Sequence, residues 1–303
     1  MDKWFNENLD TKKVRGYTRH VIDPGPKDKI ISVSRKLSVT NWLIILNVCV
    51  YILILIFQSV GFSETWIFNI FALQANAFFE GHVWTLLTSM FSHIHIWHIF
   101  ANMISLFFIG NFLEKIIGRK KFFWFYIASG LFAGLFYGVL SFYLGGSELG
   151  SRIFINPEVF SLGASGAIFG IAGLLAILTP KMRVYLIAGP IFALVAYSVL
   201  ISIFPNASFM ALFNLLITIY FFVAIFSMFS VDSNLRKLGI PLQMKFWVLP
   251  IIAIVPLVII GLFVDLPIGN TAHLGGLIAG LAYGVYLKKR FKRKTRMISK
   301  YFS

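Results

Sequence analysis

Eight long runs of the chain carry almost no charge, and polar, Lys- and Arg-rich segments separate them. The runs cover 41–60, 93–114, 122–144, 164–180, 184–204, 208–230, 247–265 and 268–288. Most are roughly 17–23 residues long, the length of helix that crosses about 30 Å of hydrocarbon. The pattern predicts eight transmembrane helices. Glu114 is the acid within these runs that needs comment; at the end of its span it reads as an interfacial anchor rather than a catalyst.

The distribution of positive charge orients the spans. With the N-terminus in the cytoplasm, 26 of the 27 Lys and Arg residues fall in segments on the cytoplasmic side, and only Arg152 falls outside. Such asymmetry is how cytoplasmic loops are marked. The formal net charge of +15 is therefore a topological signal and predicts no nucleic-acid partner. Composition agrees: 58% of residues are hydrophobic, 13% are charged, and mean hydropathy is +0.81. Soluble domains carry about 25% charged residues. The domain reading is a cytoplasmic N-terminal extension over 1–40, a membrane domain over 41–288, and a basic cytoplasmic tail over 289–303 that flanks the last span and can touch anionic lipid. No cleavable signal peptide is visible; Asp23-Pro24-Gly25-Pro26 breaks regular structure in the extension. The lone Cys49 lies mid-span and excludes a disulfide framework. The composition leans toward a prokaryotic plasma membrane.

Candidate chemistry sits where polar side chains interrupt the apolar runs. Polar groups within a membrane are costly and mark function by default. Gly163-Ala164-Ser165-Gly166 opens one span and Ala272-His273-Leu274-Gly275-Gly276 lies in another. A serine between small residues is sterically open, and a neighbouring imidazole can take its proton. His98 and Asn102, four apart, share a helix face and could both donate hydrogen bonds to a developing oxyanion. His93, His95 and His98 could alternatively form a metal cluster. No carboxylate or Cys partner lies nearby and no His-Glu-x-x-His motif occurs, so neither a metal nor another cofactor is expected. His93 and His95, at the helix entrance, read as interfacial hydrogen-bonding groups. Asp265, eight residues before His273, reads as a span terminator rather than a third catalytic group.

Glycines recur every fourth residue at Gly130, Gly134 and Gly138, at Gly166 and Gly170, and at Gly276, Gly280 and Gly284. Small residues at this spacing let helix backbones approach closely.

Taken in order, Trp84, His93, His98-x-x-x-Asn102, Gly110-x-x-x-Glu114-x-x-x-Gly118, Gly163-x-Ser165-Gly166 and Ala272-His273-x-x-Gly276 resemble the rhomboid family of intramembrane serine proteases. The resemblance covers residues 84–276. It implies Ser165 as nucleophile, His273 as general base, and an oxyanion hole of His98, Asn102 and the Ser165 backbone. Gly163, Gly166, Phe169 and Gly276 would support that site. Its implied substrates are transmembrane helices that unwind locally at the cleavage site. Phe169 stands where some members carry a Tyr that stacks on the catalytic imidazole.

A second departure is the span count. The resemblance implies an all-α six-helix core, whereas three spans here separate the serine from the histidine. Residues 184–235 read as a two-span insertion ahead of the family-like segment 240–247. Parity supports a paired insertion: Ser165 and His273 reach the same depth only if an odd number of spans separates their own. The rival classes are a catalytically silent rhomboid-like protein that binds transmembrane helices, which would be expected to lack Ser or His, and a transporter, which would show inverted repeats.

Overall fold

The computed structural model describes residues 37–204, 207–264, 266 and 268–302. Most of the expected N-terminal extension, the Pro205-Asn206 part of the turn in the expected insertion, and Asp265 lie outside the described residues.

Eight helices occupy the eight predicted positions. They are α1 (Val39–Val60), α2 (Ile96–Ile117), α3 (Arg119–Leu144), α4 (Ser165–Leu178), α5 (Gly189–Ile203), α6 (Met210–Ser227), α7 (Leu249–Gly261) and α8 (Asn270–Arg290). Among the described residues, α1, α2, α3 and α6 are long and apolar enough to cross a membrane. Helices α4 and α5 are apolar but shorter. A further helix, α9 (Lys292–Tyr301), follows α8 and carries much of the basic tail. Residues between α1 and α2 fold into three short helices, Glu64–Phe71, Ala75–Phe79 and Thr85–Thr88.

Side chains such as Ile52 and Ile56 of α1, and Leu212 and Phe226 of α6, are at least half exposed. The interior instead contains Thr40, Asn47, Ser129 and Ser141 beside Leu106, Leu113 and Ile171. Apolar outward faces are expected where lipid is the solvent, and internal polar groups then need partners within the bundle. Several have them. Ser141 Oγ donates to Ile155 O at 2.8 Å and Tyr137 Oη to Val159 O at 2.6 Å. Glu114 accepts hydrogen bonds from Val39 N, Thr40 N and Thr40 Oγ1 at 2.9, 2.8 and 2.7 Å. Its carboxylate, buried at 6% exposure, caps the start of α1 from across the bundle, and Arg119 lies 3.8 Å away. A negative charge there meets the positive end of the α1 dipole. The interfacial anchor expected at Glu114 is thus a buried interhelical cap.

The glycine stripes set the tightest packing. A Cβ on Gly276 would lie 1.9 Å from Gly166 O, and one on Gly280 would lie 2.0 Å from Gly170 O. Only hydrogen fits at either place, so α4 and α8 touch backbone to backbone. On the other side of α4, Gly166 packs on Ala133 and Gly170 on Ser129 of α3. Helices α3, α4 and α8 therefore form one close-packed unit.

Two expectations need correction. The structure is not wholly helical: strands β1 (Arg183–Ile187) and β2 (Pro241–Lys245) form an antiparallel two-stranded ribbon, with Arg183 opposite Lys245 and Ile187 opposite Pro241. The span expected to begin at 184 therefore starts as strand. Val184, Tyr185 and Ile187 favour the pleated conformation, and Pro190 in the first turn of α5 marks the true helix start. Helix α2 begins three residues later than the apolar run suggested, so His93 and His95 precede it.

Helices α5 and α6 pack on each other, with Tyr197 stacked on Phe213 at 6.4 Å. Helix α6 also lies on the outer face of α2: Phe100 meets Phe222 at 4.9 Å and Phe226 at 5.5 Å, and Trp97 meets Phe221 at 6.2 Å. Thr218 Oγ1 donates to Asn214 O at 2.9 Å within α6.

Candidate functional site

Ser165 is the first residue of α4. The chain leading to it is held on several sides. Tyr137 and Ser141 of α3 bind the carbonyls of Val159 and Ile155. Ser161 pairs with Leu73 through two 2.8 Å backbone bonds. Glu158 accepts from Gln74 and Asn76 side chains. Gly163 N donates to Ser89 O at 2.8 Å. The serine therefore enters its helix from a loop with little freedom.

His273 lies in the first turn of α8, three residues before Gly276. Because Gly276 rests on Gly166, the residue after Ser165, the glycine contact brings the two side chains together. The distance from His273 Nε2 to Ser165 Oγ is 2.8 Å. Both residues are partly buried. Phe169, one helical turn beyond Ser165, stacks on the imidazole with ring centroids 4.3 Å apart and planes inclined by 20°. Phe therefore supplies the stacking without a hydroxyl. Among the described residues nothing accepts a hydrogen bond from His273 Nδ1. A hydroxyl at hydrogen-bond distance from an imidazole nitrogen can pass its proton there and act as a nucleophile.

Gly163 joins the serine to the polar face of α2. Its φ of +127° lies in the region that side-chain-bearing residues avoid. A Cβ there would stand 2.8 Å from His98 Cε1, 2.9 Å from His98 Nε2 and 3.5 Å from Asn102 Nδ2. The fold thus brings Gly163, His98 and Asn102 together two residues from Ser165. The first turn of α4 has no side-chain cap, and N–H groups at the start of a helix lack intrahelical acceptors. These donors and the helix dipole favour negative charge beside Ser165.

His93 takes a part that sequence reasoning missed. It is fully buried, and its Nε2 lies 3.0 Å from Asn102 Nδ2 and accepts from Ala164 N at 3.4 Å. One imidazole nitrogen therefore ties the carboxamide of α2 to the residue preceding Ser165. With Nε2 accepting, the proton resides on Nδ1. Nine residues separate His93 from Asn102, a spacing with no helical periodicity because the chain turns between them; burial was the missing signal. The three neighbouring histidines diverge: His93 and His98 meet at 5.0 Å between ring centroids, while exposed His95 stacks on Trp97 at 5.6 Å. Among the described residues no group of three or more His, Cys, Asp or Glu is disposed to hold a metal ion. Trp84 lies in the segment between α1 and α2, 47% exposed and 4.8 Å from the His82 ring.

A family model described as the rhomboid domain matches residues 80–290. No curated protein matches the chain.

Proposed function

The chain belongs to the rhomboid family, and on that premise we propose that it is an intramembrane serine endopeptidase acting on transmembrane helices. It is a multi-pass integral membrane protein. The observation that carries the catalytic reading is the 2.8 Å approach of His273 Nε2 to Ser165 Oγ.

In the proposed reaction, Ser165 Oγ attacks the carbonyl carbon of the scissile peptide bond while His273 Nε2 takes the hydroxyl proton. The C=O π pair moves to oxygen, and the backbone N–H of Ser165 with His98 and Asn102 stabilises that oxyanion. Asn102 has one amide hydrogen directed at His93, which leaves the other for substrate. Collapse breaks the C–N bond, and the His273 proton passes to the leaving amine. Water, deprotonated by His273, then hydrolyses the acyl-enzyme and restores Ser165. The reading is a dyad, with Phe169 holding the imidazole plane in place of a third side chain.

Depth follows from length. The 14 residues of α4 extend about 21 Å, short of about 30 Å of hydrocarbon. With its inner end at the cytoplasmic surface, its outer end and Ser165 lie below the outer surface. The irregular segment 155–163 is tolerated at that depth because it is bonded to α3 and to the 73–76 segment. The proposed topology has eight spans, both termini cytoplasmic, and α5–α6 as an inserted pair. The β1–β2 ribbon closes the insertion at its base, and α6 packs on α2 without coming between Ser165 and His273.

Labelling by a serine-directed fluorophosphonate tests this reading. The purified protein should label once, and Ser165→Ala and His273→Ala should not label. Equal labelling of Ser165→Ala would overturn the assignment. An unreactive wild-type protein that still binds transmembrane peptides would favour the catalytically silent alternative.

A further inference from the structure

An open groove of about 710 Å³ runs between α3 and α8. Trp124, Ala128 and Phe132 line it from α3, and Ala279 and Tyr283 from α8. The two alanines leave the floor low, while the aromatic rings form its sides. Tyr283 is fixed by stacking on Phe125 at 5.2 Å. One end is different in kind: Lys120 and Lys121, in the first turn of α3, line it there. Lys288, Lys289 and Arg290 close the last turn of α8, which runs antiparallel and ends at the same level.

We infer that this groove is a binding site for one anionic glycerophospholipid, with an acyl chain along Ala128 and Ala279 and the phosphate at Lys120 and Lys121. Length and charge select this occupant. From Lys120 to Phe132 the helix rises about 18 Å, close to the depth of one leaflet and about half of what a transmembrane helix needs. A partner helix would require an apolar groove that continues past Phe132. There, however, α3 and α8 close on each other, with Gly275 packed on Phe136. An acyl chain ends where the groove ends. Paired lysines at the mouth suit a phosphodiester bearing net negative charge better than a zwitterionic headgroup. Trp124, 60% exposed, sits one turn inside the lysines, where an amphipathic ring meets the headgroup boundary.

The site is separate from Ser165, and the inference does not rest on the catalytic reading. Its test uses the full-length protein in mixed detergent–lipid micelles with phosphatidylglycerol and phosphatidylcholine of identical acyl chains. Native mass spectrometry reads retained lipid, and a photoactivatable diazirine on the phosphatidylglycerol acyl chain maps contacts by peptide sequencing. Phosphatidylglycerol should be retained preferentially and should crosslink within 124–132 and 279–283. Lys120→Gln and Lys121→Gln should each lower its retention about fivefold. Ala128→Trp, which fills the floor and keeps both lysines, should abolish the crosslink. Circular dichroism melting confirms that each variant is folded. Equal retention of the two lipids, crosslinks elsewhere, or crosslinks to a second copy of the chain at these residues would overturn the inference.

Discussion

Replacing Gly276 by Ala tests the link between helix packing and the site. The added Cβ would lie 1.9 Å from Gly166 O, against 3.4 Å for ordinary contact, a shortfall of about 1.5 Å in a close-packed interior. The obstacle is backbone, so no side-chain rotation relieves it. Helices α4 and α8 must part, and the residues that part with them are Ser165, next to Gly166, and His273, one turn before Gly276. If the separation passes fully to the pair, their 2.8 Å contact opens beyond 4 Å and the hydrogen bond is lost. A misplacement of about 1 Å can cost on the order of 10² in rate, and overpacking typically costs about 1–3 kcal/mol of stability. The assay is the second-order rate of fluorophosphonate labelling, measured below the melting temperature of both proteins. We expect a fall of at least about 10² for Gly276→Ala. Gly138→Ala on α3 is the control: the nearest atom to its Cβ would be Phe78 Cδ1 at 3.7 Å, an ordinary van der Waals contact, so labelling should stay near wild type. Wild-type labelling in a folded Gly276→Ala would refute the reasoning.

Other outcomes follow from single contacts. Asn102→Ala should lower kcat by about 10²–10³ with little change in KM, and metal chelators should have no effect; chelator inhibition reversed by zinc would point to a metal instead. His93→Ala removes the acceptor that ties Asn102 to Ala164, so kcat should fall while a kcat-neutral result would show that His93 only fills space. Glu114→Ala strands the donors at the start of α1 and should cost about 1–3 kcal/mol for a buried donor left unpaired. The melting temperature should drop, and fluorophosphonate labelling of the folded fraction should persist. Asn214→Ala and Thr218→Ala, on α6 away from the site, should leave cleavage within a few-fold of wild type.

Much of this arrangement was readable from the sequence because its signals are periodic or compositional. Uncharged runs placed eight helices, since hydrocarbon tolerates few alternatives to a helix. The spacing of Gly166, Gly170, Gly276 and Gly280 marked faces where helix backbones can approach closely, and the structure joins those faces as the α4–α8 contact beside Ser165 and His273. What escaped depends on tertiary context. Arg183–Ile187 is apolar enough to pass for the start of a span, and only its pairing with Pro241–Lys245 makes it a strand. His93 resembled an interfacial residue until the turn before α2 buried it against Asn102 and Ala164. Glu114 ended a span, as an anchor would; its hydrogen bonds to Val39 and Thr40 join residues more than 70 positions apart, a distance that local pattern does not reach.

The most direct test of the central claim is proteolysis by the purified protein in liposomes containing a single-span reporter, read by intact mass of the products. The account predicts cleavage at a peptide bond near the reporter's outer membrane boundary by the wild-type protein, with none by Ser165→Ala or His273→Ala. Cleavage that survives in Ser165→Ala would contradict it.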